Sequence, residues 1–276
     1  MKHRPRGSAL LWRAIAAAAL LSTALMLFGF AYALQDVLNP AAPAGKGNSP
    51  ALGERKPQRE DKSVLNVVAL GDSLTKGTGD VTGQGYVRRV VAGLSEQGMK
   101  AKLVNNLAIN GLRTDQLIEK LEKDEGTRYA LKQADLILFT IGGNDLSGLL
   151  RTVLQGGGEL DMGIDKFTEE LQAGIGRLET IFKRIHEVNG EAKVIYVGLY
   201  NPFYPIPELR PGSLQVQSWN NEAYRLSVNY PNMRLVPTFD LFESEAGVYL
   251  GSDRFHPNGE GYQHIAERVL QVLQEE

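Results

Sequence analysis

From Val64 to Leu70 the chain is apolar but for Asn66, with β-branched Val64, Val67 and Val68, and it then breaks at Gly71-Asp72-Ser73-Leu74-Thr75-Lys76-Gly77 into a glycine-bounded turn. Such a run reads as a buried strand closed by a tight loop. The same unit returns downstream. Lys102–Ile109 reads as a second strand ending at Asn110-Gly111, and Asp135–Ile141, nearly all apolar and hence buried on both faces, as a third ending in Gly142-Gly143-Asn144-Asp145. Lys193–Leu199 is a fourth, followed by the proline-stiffened aromatic stretch Tyr200–Pro207, and Met233–Val236 is a short fifth.

Helices are predicted between them. Tyr86, Val87, Val90, Val91 and Leu94 repeat at helical spacing before Gly98, Thr114–Leu121 is a short helix, and Phe167, Leu171, Ile175, Leu178, Phe182 and Ile185 mark one face of a long one. Val216–Leu226 and a final helix with Tyr262, Ile265, Ala266, Val269 and Leu273 inward complete the set. Strands alternating with helices predict a three-layer α/β/α sandwich around a mostly parallel five-stranded sheet. Residues 146–164, with apolar Leu146–Leu154 and three glycines at Gly156–Gly158, read as an elaborated loop.

In a parallel sheet, reacting groups sit just past the carboxyl ends of strands, so Ser73 is a candidate nucleophile. The same position also suits a helix cap or turn residue. Phosphate-loop readings fail on spacing. Lys76-Gly77 is reversed relative to a P-loop, and Gly77, Gly79 and Gly83 miss the dinucleotide fingerprint by one residue.

The chain has no cysteine, which excludes disulfides, thiolate metal sites and a cysteine nucleophile. Its net charge of −2 divides unevenly. Residues 1–62 carry nine Lys and Arg against four Asp and Glu, whereas residues 63–276 carry 21 against 28. A domain that acidic is a poor partner for nucleic acid. Residues 1–13 form a basic N-terminus, with Lys2, Arg4, Arg6 and Arg13, ahead of a charge-free run from Ala14 to Leu34. At roughly 1.5 Å per residue that run matches a hydrocarbon core of about 30 Å. It predicts a transmembrane signal-anchor over 14–34 with everything beyond it extracytoplasmic, or a signal peptide cleaved near Ala33 that would release a secreted protein. Residues 35–62 read as a flexible linker and 63–276 as the folded domain.

Four histidines make the search for a base exhaustive. His3 precedes the apolar run. His186 and His264 line up with charged neighbours on their own helices and are expected to be solvated. His256 stands in a loop, before Pro257 and three residues after Asp253, where a carboxylate could orient the imidazole.

Gly71-Asp72-Ser73-Leu74, Asn110-Gly111, Gly142-Gly143-Asn144-Asp145 and Asp253-x-x-His256-Pro257 together resemble, in order and spacing, the blocks of SGNH (GDSL-type) hydrolases over residues 64–274. The resemblance implies a flavodoxin-like fold and a serine esterase or lipase with Ser73 as nucleophile, His256 as acid and base, and Asp253 as its orienter. It implies an oxyanion hole from the backbone N–H groups of Ser73 and Gly111 and the Asn144 amide, with no metal or cofactor. Asp72 and Asp145 are expected to hold their turns by local hydrogen bonds. The expected substrate is a small-molecule, lipid or carbohydrate acyl ester. Leu146–Leu154 and Tyr200–Tyr204 either line an acyl pocket or merely cover the sheet. A catalytically inactive, membrane-tethered binding module on the same fold is the alternative.

Overall fold

The computed structural model describes residues 7–38, 63–146, 160–201, 212–243 and 245–275. The chain divides into two units, Met1–Lys56 and Pro57–Glu276. In the first, helix α1 (Gly7–Leu38) carries exposed apolar side chains, Leu20, Leu25, Met26 and Phe28 among them. The span expected at 14–34 falls on α1, whose side chains are described only at 12–13 and 15–28. Among the described residues no helix is long and apolar enough to cross a membrane.

The second unit is a five-stranded sheet of β1 (Leu65–Gly71), β2 (Ala101–Asn106), β3 (Leu136–Thr140), β4 (Lys193–Val197) and β5 (Met233–Val236) in the order β2-β1-β3-β4-β5. A mostly parallel sheet is predicted; all four described pairings are parallel. The helices are α2 (Ser73–Lys76), α3 (Gly85–Glu96), α4 (Thr114–Lys123), α5 (Glu125–Lys132), α6 (Leu160–Val188), α7 (Gly212–Ser227), α8 (Phe239–Glu243), α9 (Ala246–Tyr249) and α10 (Gly259–Gln274).

Period-two alternation explains why the sheet needs cover on both faces. Val68 and Leu70 of β1, Ile137 and Phe139 of β3 and Val194 and Tyr196 of β4 enter one core with residues of α4, α5, α6 and α7. Their neighbours Val67, Ala69, Leu136, Leu138, Ile195 and Val197 enter a second core with α3 and α10. A fully buried Leu or Val stabilises by roughly 1.5–3 kcal/mol relative to exposure, so one charge in these three strands would disrupt a core whichever face it met. Edge strand β2 is exposed at Lys102, Val104 and Asn105, and its lysine and asparagine blunt the open edge.

Four short helices, α2, α5, α8 and α9, lie where none is expected, α2 within the turn after β1, and α6 starts at Leu160, inside the stretch read as a loop. The rest of that loop, 147–159, and residues 202–211 of the aromatic stretch lie outside the described residues. Strand order reverses between β1 and β3, which opens a crevice past their carboxyl ends. Ser73 and Asn144 lie just beyond those two ends.

Candidate active site

Ser73 is the first residue of α2, and Asp72 is its N-cap, with Oδ1 accepting the Leu74 N–H at 3.1 Å. The same oxygen accepts from Thr140 Oγ1 at 2.6 Å. Thr140 Oγ1 is bonded to Thr75 Oγ1 at 2.8 Å, and Thr75 Oγ1 to the Tyr86 hydroxyl at 2.9 Å. Burial pushes the Asp72 carboxyl above its usual range, and these two bonds offset it only in part. Asp72 therefore holds its turn as expected, but with a non-local partner on β3. Gly71 lets the end of β1 lie close against Thr140 of β3. Its φ is +127°, and a Cβ there would stand 2.0 Å from the Thr140 carbonyl oxygen.

The Asp253–His256 loop folds back as its spacing suggests. Asp253 Oδ1 accepts the N–H groups of Phe255 and His256, each at 3.0 Å, and Oδ2 lies 2.6 Å from His256 Nδ1. Burial would raise the Asp253 carboxyl, but the His256 ring and the two N–H donors outweigh it and hold the group below its usual range. An ionised carboxylate only accepts, so Nδ1 carries the proton and the Nε2 lone pair is left for Ser73 Oγ, 2.8 Å away. Ser73 is 4% exposed. Arg254, between the two, adopts the left-handed region at φ +53°, and the Gly251 N–H closes the loop on the His256 carbonyl at 2.8 Å.

The other strand ends converge here. The Ile109 N–H donates to the Gly71 carbonyl at 2.8 Å, which sets Asn110-Gly111 beside the start of α2. Asn144 Nδ2 donates to the Leu112 carbonyl at 2.9 Å, one residue from Gly111. Asp145 departs from expectation. Its carboxylate reaches across to α4, accepting the Thr114 N–H at 3.1 Å and Thr114 Oγ1 at 2.6 Å, with Arg177 Nη2 at 3.4 Å.

His186 and His264 stay away from Ser73, yet neither is simply solvated. His186 Nδ1 lies 3.0 Å from Asn232 Oδ1 with its ring against Tyr230, and His264 packs against Tyr249 and pairs with Glu267 at 3.3 Å. His3 lies outside the described residues. Leu146 and Tyr200 are buried, and Tyr200 stacks on Phe242 at 4.2 Å while its hydroxyl donates to the Phe255 carbonyl. Of the two possibilities for the aromatic stretch, cover applies to Tyr200, with the added task of holding the histidine loop. Among the described residues no cluster of three or more His, Asp or Glu could hold a metal ion.

A profile of the GDSL-like lipase/acylhydrolase family matches residues 69–264, which takes in every block above. The chain belongs to this family. As a GDSL-type enzyme it is a carboxylic ester hydrolase. It is 38% identical over 223 residues to the uncharacterized protein YpmR of Bacillus subtilis (strain 168), covering 79% of this chain and 85% of that one. It is 27% identical over 208 residues to the spore germination lipase LipC of Bacillus licheniformis, covering 75% and 95%. The crystal structure of the lipase Lip_vut3 from a goat rumen metagenome matches with a TM-score of 0.67 and 27% identity, covering 75% of this chain and 97% of that one.

Two features of the GDSL-type site went unread in the sequence. The Thr75, Thr140 and Tyr86 hydroxyl chain had no signal beyond three polar residues next to buried apolar ones. Gly79 had one, a glycine just after a nucleophile turn. A Cβ on Gly79, at φ +95°, would lie 2.5 Å from the Pro257 carbonyl and 2.8 Å from His256 Cβ.

Proposed function

We propose that Ser73, His256 and Asp253 form the catalytic triad of this ester hydrolase and that its substrate is a lipid or other acyl ester. The observation that carries the reading is the line of two hydrogen bonds, 2.8 and 2.6 Å, from Ser73 through His256 to Asp253. His256 Nε2 takes the Ser73 proton as Oγ attacks the acyl carbonyl, and Asp253 stabilises the imidazolium that results. The oxyanion is met by the N–H groups of Ser73 and Gly111 and the Asn144 amide, whose bond to Leu112 fixes its plane. Collapse expels the alcohol with the proton from His256. Water, with His256 again as base, then frees the acid. The lipid reading draws support from LipC and Lip_vut3, both named as lipases.

The location belongs to the same proposal. The charge-free 14–34 run behind a basic N-terminus anchors the chain in a membrane, and residues 35–62 tether the hydrolase on the extracytoplasmic side. The test is hydrolysis of p-nitrophenyl acetate, butyrate and octanoate by the full chain. Ser73→Ala and His256→Ala should each abolish most turnover and the double variant should lose little more, while His186→Ala and His264→Ala stay near wild type. No turnover of any ester by the wild-type chain would favour the binding module.

A further inference from the structure

We propose that Asp80 is a positioning residue for the reaction, clamping the Thr78–Asp80 strap that sets His256 and the Asn110-Gly111 turn at a fixed separation; this rests on the triad reading above.

The strap touches both halves of the site. Thr78 Oγ1 donates to Asn110 Oδ1 at 3.0 Å on the oxyanion side, and the Thr78 carbonyl accepts from the Tyr262 hydroxyl at 2.8 Å. One residue on, the Gly79 α-carbon faces His256 Cβ and the Pro257 carbonyl so closely that no side chain fits between them. The next residue, Asp80, has a fully buried side chain. Its Oδ1 accepts the Thr82 N–H at 2.9 Å and Thr82 Oγ1 at 2.8 Å; its Oδ2 accepts the Gly85 N–H at 2.9 Å and is paired with Arg89 Nη1. Arg89 Nη1 also donates to the Gly85 carbonyl at 2.9 Å, which ties the pair to α3. The pair also abuts the histidine side. A Cβ on Gly259, the first residue of α10, would lie 3.3 Å from both Arg89 Nη2 and Asp80 Oδ1.

A buried carboxylate with four donors is costly to build and intolerant of losing one. Loop closure alone does not require it. What it fixes is the position of Gly79 against His256 Cβ and the Pro257 carbonyl. A shift of about 1 Å at a reacting group costs up to about 10²-fold in rate, and releasing the strap at Asp80 frees Gly79 beside His256 and Thr78, whose N–H donates to the Ser73 carbonyl at 3.0 Å.

The test measures kcat and KM for p-nitrophenyl acetate with the full chain, well below the melting temperature of each variant. Asp80→Asn should lower kcat by about tenfold or more with KM within about twofold, the signature of a group felt in the transition state. In a His256→Ala background the same substitution should lower the residual rate by a smaller factor than in wild type, because the part of its effect that runs through His256 has nothing left to act on. Thr78→Val, which cuts the strap from Asn110 and leaves the Asp80 clamp intact, should lower kcat in the same direction, and it carries the test should Asp80→Asn not fold. A folded Asp80→Asn or Thr78→Val enzyme with wild-type kcat overturns the inference, as does a loss that multiplies fully in the His256→Ala background. Activity retained in His256→Ala alone would instead sink the triad.

Discussion

Replacing Asp253 by Asn tests the triad at its most constrained point, because the structure dictates which way the new amide faces. Asp253 Oδ1 accepts two backbone N–H groups at 3.0 Å, so an amide nitrogen placed there would set donor against donor twice. Losing those two bonds costs about 0.5–1.5 kcal/mol each, the net worth of a hydrogen bond that water can partly replace. The amide oxygen therefore stays on the backbone and the NH₂ faces His256 Nδ1, now 2.6 Å from a carboxylate oxygen. Nδ1 must accept, the proton moves to Nε2, and Nε2 can no longer take the Ser73 proton. In a serine hydrolase triad a locked wrong tautomer costs about 10⁴ in kcat, or roughly 5.5 kcal/mol of barrier. KM and melting temperature should change little, since both backbone bonds survive. The assay is steady-state p-nitrophenyl butyrate hydrolysis by full-length wild type and Asp253→Asn, with a thermal melt on the same samples. A folded variant within tenfold of wild-type kcat would refute the orientation argument.

Asn144→Ala should lower kcat by about 10²–10³-fold with little change in KM, and loss of its bond to Leu112 should remove about 1 kcal/mol of stability, roughly 2–4 °C in Tm; a stability loss with turnover intact would leave Asn144 a turn residue only. Acid should act through Asp80. Burial alone would raise this carboxyl, but Arg89, Thr82 and Gly85 bring it down to about 2 from 3.8. A carboxyl depressed on folding contributes stability above its unfolded value and loses it as pH falls through the folded one, so about 2 kcal/mol should disappear between about pH 4 and 2. Urea unfolding across that window should show the extra slope in wild type and not in Asp80→Asn, and parallel curves would refute it. In its host the full-length chain should fractionate with membranes and be digested by protease added from outside; a mature protein beginning near Leu34 and free in the medium would remove the anchor.

What the sequence revealed and what it hid divide along the range of the interactions. The place of Ser73 past a buried strand was legible because a strand and its turn are local. That His256 is the histidine set against it, at 2.8 Å, followed from searching four histidines one by one. The sheet followed from buried runs in β1, β3 and β4. Helical spacing failed where the deciding contact came from another element. The wheel that placed His186 beside Glu179 and Lys183 could not show Asn232 and Tyr230, and the one for His264 could not show Tyr249. Tyr200 sits 55 positions before the carbonyl it holds, with no periodicity linking them. Helix α5 did leave a signal, Asp124 capping Thr127 at 3.2 Å, but eight residues are too few for a convincing apolar stripe.

Environment alone separates the jobs of the carboxylates around Ser73. Asp72 is nearer in sequence to the nucleophile than Asp253, yet its Oδ1 is already engaged by Leu74 and Thr140, and burial raises its pKa. A carboxyl whose burial disfavours its charge is poorly placed to stabilise an imidazolium. Asp145 is drawn away to Thr114 and Arg177. Asp253 is about half exposed, and its two backbone donors and the ring lower its pKa despite the burial it has. It is thus the one of the three that keeps an oxygen for the histidine. Groups pushed in opposite directions within one site mark which acts in proton transfer and which holds the frame. Asp72 locks the turn that carries Ser73, and in the proposed triad Asp253 stays ionised beside the ring, orienting it without taking its proton.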